Sequence, residues 1–294
     1  MKTKKKDIRS LTKEQLRDFF VKHGDKAFRL MLQENFVINH IEVDSMQRSK
    51  DGTIKNGIRL HDGLIVESVL IPTEKRTTAC VSSQVGCSLD CRFCATSRLK
   101  RMRNLNPDEI YDQVVAIDKQ SQLYHNHKIT SSEGLGMSSK RITVSTSGVP
   151  KIIKKMADDQ VKFNLDVSLH SAIDKVRTSI MPFNETFPLQ DLAESLIYWY
   201  EKTQRQVTYE YVVWDGINDK KEDIKALINF CKHIPCKVNL IEYNPIDDGE
   251  FQQASSRAID NYISNLEMHD IVVNVRRSRG KDIDAACGQL ANKS

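Results

Sequence analysis

From residue 107 onward the sequence alternates helical stripes with short apolar runs, and no other feature limits the fold so tightly. Asn106, Pro107 and Glu109 make a helix start of the N-x-x-E kind, with proline at the first helical position. Ile110, Val114 and Ile117 then share one helical face. Three later segments repeat the stripe: Leu189, Leu192, Leu196 and Trp199; Ile224, Leu227, Ile228 and Cys231; and Ile259, Tyr262, Ile263 and Leu266. Strands are predicted between them over 141–147, 163–170, 207–213 and 238–243, with a last one over 271–275. Such alternation implies βαβ units and an α/β fold, an open or partial (β/α) barrel around a parallel sheet. In folds of that kind chemistry gathers at the carboxyl ends of the strands. Upstream, 10–36 reads as helical on Leu11, Leu16, Phe19 and Phe20. Residues 37–80 read as β-rich, including the apolar run 64–72, broken only by Glu67 and Ser68. These make a small N-terminal helical/β extension. The chain is divided accordingly into an accessory region, 1–60, and a catalytic domain, 61–294. The polar stretch 124–140 does not fit, because it is aperiodic and long for a structureless connection.

Composition narrows the class. At 294 residues and 39% apolar content the chain can bury one sizeable core. It has no run of eighteen apolar residues, so no membrane span is expected. MKTKKKDIRS is basic with no apolar region behind it, and is not expected to be a secretory signal. Seven cysteines without such a signal argue for a reducing, cytoplasmic setting, where thiols serve metals or catalysis. The net charge is +5. Its basic residues cluster at Lys2–Lys6, Arg98–Arg103 and Arg276–Lys281, either as solvated faces or as a phosphate-binding surface.

Three of the cysteines stand together. Cys87, Cys91 and Cys94 form a C-x-x-x-C-x-x-C run, in which three thiolates can hold three irons of a four-iron cluster and leave one iron open. Zinc is the competing metal, but its structural sites more often pair two C-x-x-C knuckles, and no second pair is present.

The surrounding residues carry a resemblance. ACVSSQVGCSLDCRFCATS, ITVSTSGVPK, VSLHSAID, IEYNP and RGKDIDAACGQL occur in order from about residue 60 to the C-terminus. Together they resemble the RlmN/Cfr family of radical S-adenosylmethionine (SAM) RNA adenine methyltransferases, most of all its RlmN type, which acts on both rRNA and tRNA. The resemblance implies that Cys87, Cys91 and Cys94 ligate a 4Fe-4S cluster, that Cys287 carries the methyl group, and that Cys80 is its redox partner in a disulfide. It implies SAM contacts at Ser145, Ser168, His170 and Asn244, and a proton acceptor at Glu67. The implied reaction methylates carbon 2 of adenine in 23S rRNA and tRNA. An electron donor such as flavodoxin would feed it, and no membrane partner is implied. Carbon 2 is not nucleophilic, so the family first methylates a cysteine and then moves that carbon by radical addition.

Blander roles exist for each residue. Cys80 and Cys287 could be small buried apolar residues, Glu67 an edge charge paired with lysine, and His170 a structural histidine. Cys231 and Cys236 are read as core thiols, and His125, His127, His233 and His269 as surface residues. Asp166 falls on the face of Ser168 and His170, where a buried carboxylate needs a partner or a raised pKa. The sequence also departs from the family. Its Gly-Met-Gly-Glu-Pro strand-helix unit, which contacts the amino group of SAM, is missing near Thr130 and Ser131, and the N-terminal helical region is short around Phe28–Met31. A catalytically impaired, cluster-holding RNA binder is therefore one alternative reading, and a Cfr-like enzyme that methylates carbon 8 is another.

Overall fold

The computed structural model describes residues 5–23, 32, 34–74, 76–129, 136–246 and 250–291. Both places where the chain is expected to be short, at Phe28–Met31 and at Thr130–Ser131, lie outside the described residues. The chain forms two compact units. The first takes residues 1–87, 100–130 and 291–294, and the second 88–99 and 131–290. A boundary at residue 60 is not what forms: strands on either side of it pair with each other, so cutting there would split one sheet. No described helix is long and apolar enough to cross a membrane.

The first unit is built on an antiparallel meander of four strands, β1 (Glu42–Arg48), β2 (Ile54–Arg59), β3 (Ile65–Pro72) and β4 (Thr77–Cys80). Asp-Gly dipeptides turn the first two hairpins, with Gly52 and Gly63 at positive φ, which glycine adopts without steric cost. Helix α1 (Lys13–His23) precedes the sheet, and α2 (Pro107–His125) covers one face of it. The Glu109 carboxylate accepts the Asn106 N–H at 2.8 Å, as the N-x-x-E start requires. The face α2 buries is not purely apolar. Ile58, Leu60 and Val66 pack with Val85, Leu105 and Ile110. Beside them Gln120 and Asn56 exchange amide hydrogen bonds of 2.7 and 2.9 Å, and Gln113 bonds both ways with the Ser82 backbone.

The second unit is a five-stranded parallel sheet. Its strands are β5 (Thr143–Thr146), β6 (Asn164–Ser168), β7 (Val207–Val212), β8 (Cys236–Ile241) and β9 (Val272–Arg276), in spatial order β9-β8-β7-β6-β5. This is the open α/β arrangement that the alternation predicts. Five helices alternate with the strands: α3 (Pro150–Asp158), α4 (Asp174–Ile180), α5 (Leu189–Thr203), α6 (Lys221–Cys231) and α7 (Ser256–Glu267). The sequence stripes mark α5, α6 and α7 but not α3 and α4, which bury only two residues each. Leu165, Val167, Tyr209, Tyr211, Val238 and Leu240 point into the helix layer, where Trp199, Leu227 and Tyr262 meet them fully buried. Each such side chain contributes about 2–3 kcal/mol by leaving water. Cys231 and Cys236 belong to this layer, as expected, and the neighbouring Cys236 thiol, together with burial, pushes the Cys231 thiol pKa up.

One buried arginine ties the carboxyl ends of two strands. Arg177, on α4, is 0% exposed. Its guanidinium donates to the carbonyls of Ser147, Ser168 and Leu169 at 2.9, 3.2 and 3.1 Å, and to Asn184 Oδ1 at 2.6 Å. Burial lowers its pKa to about 10, so it remains charged. Arg177→Met leaves these acceptors unpaired and is expected to cost about 3 kcal/mol of stability, measured by urea unfolding. A loss below about 1 kcal/mol means that the arginine does not hold the strand ends.

Candidate active site

The other face of the parallel sheet is polar. Register places Ser145 beside Asp166 and Thr208, and one pair further along places Ser168, Glu210, Asn239 and Asn274 in a row. Asn274 donates to Asn239 Oδ1 at 3.1 Å, and Asn239 donates to Glu210 Oε1 at 2.6 Å. The Asp166 and Glu210 carboxyls are electrostatically coupled, and Thr208 stands beside Asp166 in the sheet. Burial raises the pKa of both carboxyls, Glu210 to about 7, so the pair retains a proton near neutrality. Asp166 thus has the partner its position demands. Glu210 is the residue sequence reasoning missed, although its place in the alternating strand (Thr208, Glu210, Val212) was a usable signal.

At the carboxyl ends of these strands the candidate residues converge. His170 follows β6 with φ at +55° and is buried. Its Nδ1 accepts the Val212 N–H at 3.2 Å, which assigns the proton to Nε2. Its ring meets Phe93 and Trp214 edge-on at 4.9 and 5.9 Å. Burial lowers its pKa to about 3, so it stays neutral. Asn218 receives the neighbouring strand ends, donating to the carbonyls of His170 and Val212 at 2.7 and 2.9 Å. Arg177 and Asn218 position the site, and neither stands in a motif quoted above.

The segment 88–99, which carries Cys91 and Cys94, belongs to this unit and docks on the turn that carries Cys287. The Ala95 N–H donates to the Gly288 carbonyl at 2.7 Å, and Thr96 Oγ1 donates to the Leu290 carbonyl at 2.5 Å. Gly288 has φ at +85°, and a Cβ there would lie 3.4 Å from the Phe93 carbonyl, so glycine suits the close approach. Asn244 Nδ2 donates to the Cys287 carbonyl at 3.3 Å, while its Oδ1 is buried with no partner. That orphaned acceptor suits a donor on a bound ligand. Cys287 is an exposed residue, yet desolvation of its thiol by the surrounding protein, and secondly the Glu210 charge, raise the thiol pKa.

Glu67, Cys80 and Cys87 belong to the first unit. Cross-strand pairing sets Glu67 on the same sheet face as Cys80: Cys80 pairs with Val69, two residues along β3 from Glu67. This is the face opposite α2. Glu67 is buried, with Lys55 Nζ 3.8 Å away, and Cys80 is exposed. All seven cysteines are free thiols, so the expected Cys80–Cys287 disulfide is not formed. Among the described residues no three His, Cys, Asp or Glu side chains stand grouped for a metal ion. The donor set itself fits an iron-sulfur cluster. It offers free thiols in a single run, and Ser97 Oγ ties the Cys91 and Cys94 carbonyls at 2.6 and 2.7 Å.

No protein-family model matches the chain. Curated relatives do. The chain is 63% identical over 345 aligned residues to "Probable dual-specificity RNA methyltransferase RlmN" of Flavobacterium johnsoniae, covering all of this chain and 99% of the relative. The chain belongs to the RlmN family. Identity is 46% to the RlmN of Cytophaga hutchinsonii, over 99% of this chain and 94% of that one. It is 40% to "Dual-specificity RNA methyltransferase RlmN" of Geotalea uraniireducens, over 91% and 83%. A radical SAM methyltransferase from Sphaerobacter thermophilus superposes with a TM-score of 0.85 at 30% identity, over 97% of this chain and 98% of that one. Because 345 aligned positions meet only 294 residues, the Flavobacterium johnsoniae RlmN has residues at about fifty positions where this chain has none.

The buried histidine makes a thermodynamic prediction. The unfolded chain takes up a proton on His170 below its ordinary pKa of about 6.5, whereas the native state resists it down to about 3. Stability is therefore lost as pH falls through that window, by about 1.4 kcal/mol per unit from this one group. Glu210 acts the other way, because its raised pKa lets the native state bind a proton first. His170→Asn, which tolerates positive φ, should flatten the loss between pH 6 and 4 relative to the parent chain. Parallel stability curves from urea unfolding would show that His170 is protonated in the native state.

Proposed function

We propose that this chain is a radical SAM enzyme that methylates carbon 2 of adenine in 23S rRNA and in tRNA. The observation that carries this reading is the contact between Asn244 and the Cys287 carbonyl, which sets a SAM-contacting candidate against the candidate methyl carrier. The 63% identity to a full-length RlmN supports the substrate class. Cys87, Cys91 and Cys94 would hold the 4Fe-4S cluster. When bound, that cluster supplies the one-electron reduction that splits SAM and generates a carbon radical.

The chain's own residues do the rest. Cys287, once deprotonated, takes the methyl group of a first SAM by displacement: the sulfonium–methyl bond breaks as the thioether bond forms. Asn244 Oδ1, Ser145 and Ser168 offer polar contacts to SAM, and His170 holds the ends of β6 and β7 in place. Glu67 accepts the proton that leaves carbon 2, and Cys80 supplies the second thiol on the same sheet face. A small electron carrier of the flavodoxin kind supplies the reducing equivalent.

A second reading, a cluster-holding RNA binder with impaired catalysis, has one observation behind it: the chain is shorter than its RlmN relative by about fifty aligned positions. Anaerobic reconstitution separates the two. The chain is expected to bind about four irons and to release deoxyadenosine from SAM under reductant, and Cys91→Ala should lose both. Cys287→Ala should keep cleaving SAM but leave RNA unmethylated, as read by nucleoside mass spectrometry. Iron binding without deoxyadenosine favours the second reading, and RNA methylation by Cys287→Ala excludes Cys287 as the methyl carrier.

A further inference from the structure

A cavity of about 520 Å³ opens at the carboxyl ends of β8 and β9, within the second unit. Its size falls in the range of small-ligand sites, about 300–1,000 Å³. Register sets Val275 beside Leu240, and Leu240 faces the helix layer. The cavity therefore lies on the side of the sheet opposite the row of Glu210, Asn239 and Asn274. Leu240, Val275 and Ile259 of α7 give it an apolar wall. That wall is not closed, since Val275 is 50% exposed.

The rim is polar, and it is fixed without any ligand. Glu242 is the one carboxylate among the described residues that line the cavity. It accepts the Ser278 N–H at 3.1 Å and Lys281 Nζ at 2.6 Å, and the Ser278 hydroxyl donates to its carbonyl at 3.5 Å. These bonds clamp the turn after β9 on the end of β8, so the cavity is preformed. Arg277 also lines it. Glu242 feels the charge of Arg277, but that guanidinium makes no hydrogen bond or ion pair among the described residues. Gln253 Oε1 accepts the Tyr243 N–H at 2.6 Å, which leaves the Gln253 amide Nε2 as a further donor at the rim. Asp282 and Asp284 come later on the turn and do not line the cavity. An open apolar wall beside an unpaired guanidinium does little for cohesion. It suits a ligand with a flat apolar face and an attached anion, which is the chemistry of a nucleotide. Guanidinium and amide groups bond phosphates, and guanidinium planes and apolar walls accept bases.

We infer that this cavity is an RNA subsite that takes one nucleotide of the substrate other than the methylated adenine, its base against Leu240, Val275 and Ile259 and its phosphate on Arg277. The inference rests on the RNA-methylating reading given above. Charge complementarity favours an RNA strand as the occupant, because the cavity opens within the basic run of Arg276, Arg277, Arg279 and Lys281. The same turn runs on to the methyl-carrier candidate: the Gly280 carbonyl accepts the Ala285 N–H at 3.0 Å, two residues before Cys287. Cys287 is within electrostatic reach of Glu210, on the polar face, whereas the cavity opens on the helix side. The nucleotide it holds is therefore a neighbour of the target and not the target.

Filter binding of unmodified tRNA and of protein-free 23S rRNA to the full chain tests the subsite. Arg277→Gln should weaken binding about tenfold and make the slope of log affinity against log salt shallower by about 1, the loss of one phosphate contact. Val275→Trp fills the cavity and keeps every charge, so it should weaken binding about tenfold with the salt slope unchanged. Val275→Phe serves the same reading should Val275→Trp fail to fold by circular dichroism. Lys225→Gln, which removes an exposed charge from α6, is the control and should stay within about twofold of the parent. In methyl transfer by the reconstituted enzyme, both cavity variants should raise the KM for RNA about tenfold with kcat within about twofold of the parent value. A fall in kcat with KM unchanged assigns these residues to placing the Cys287 turn and overturns the proposal. A Val275→Trp chain that binds RNA as the parent does, or a loss in Arg277→Gln that Lys225→Gln matches, overturns it too. Should adenosine monophosphate raise the melting temperature of the parent but not of Val275→Trp, while RNA affinity is equal in both, the cavity belongs to a free nucleotide and the proposal falls. A parent chain that neither binds nor methylates either RNA removes the RNA-methylating reading, and the subsite with it. A parent that does both, with cavity variants equal to it, removes the subsite alone.

Discussion

A parallel sheet exposes two faces, and strands without a lining on either face seldom persist. Among the described residues of the second unit, helices cover only one of them. The other must satisfy its polar groups without a helix layer, and that constraint sets the character of the whole site. Asn274, Asn239 and Glu210 do so by bonding one another in sequence across three strands, and Asp166 on a fourth is coupled to Glu210. The row ends in two carboxyls that keep a proton between them. Above it the strand ends are fixed by the Arg177 guanidinium and the Asn218 amide, each of which satisfies carbonyls from two different strand ends. Rigid strand ends then hold Ser168 and His170 at fixed places. The segment with Cys91 and Cys94 uses the same device, since the Ala95 N–H and the Thr96 hydroxyl dock it on carbonyls of the Cys287 turn.

What was legible in the sequence follows from which forces are local. Helix stripes and apolar runs report burial directly, so all five parallel strands and the helices α5, α6 and α7 could be read, their ends within a few residues. Helices α3 and α4 escaped because each buries only two residues, too few to make a stripe. The Asp166 problem was visible, because alternation alone puts it beside Ser168. Its solution was not, because Glu210 lies on the next strand and only parallel register brings the two together. Arg177 and Asn218 were invisible for the same reason, as their partners are carbonyls, which no residue type announces. The division of the chain was misplaced for a related reason. The hairpin between β2 and β3 joins residues on both sides of position 60, and pairing across a turn outweighs a change in periodicity.

Strand β5 stands at one edge of the sheet, with Thr143 and Ser145 exposed. An open edge normally needs covering or charge to prevent pairing with other chains. Ile142, at its entrance, is 37% exposed, and the Lys140 carbonyl there is taken by the Asn164 amide at 2.9 Å. The family's Gly-Met-Gly-Glu-Pro unit, absent from this sequence, belongs just before this strand in chain order. An edge at β5 is what its loss would leave. The neighbouring β6 is nevertheless held on both sides, by register with β5 and with β7. The polar row and the Arg177 clamp therefore do not depend on a further strand.

The seven cysteines illustrate how environment sorts one side chain into several chemistries. Cys231 sits in the helix layer, where the Cys236 thiol and then burial raise its pKa and leave it an inert apolar group. Cys287 is an exposed residue, but desolvation of its thiol by the surrounding protein, and secondly the Glu210 charge, disfavours the thiolate, while Arg276 pulls the other way. A thiol so disfavoured as thiolate is quiet until its surroundings change. Protonation of the Asp166–Glu210 pair is one such change, because it removes negative charge from the neighbourhood of the sulfur. The carboxyl pair and the methyl-carrier candidate are thus electrostatically linked: what neutralises the pair raises the thiolate fraction of the cysteine. That linkage gives the buried pair a consequence beyond cohesion, and it arises from a polar sheet face that no described helix of the unit covers.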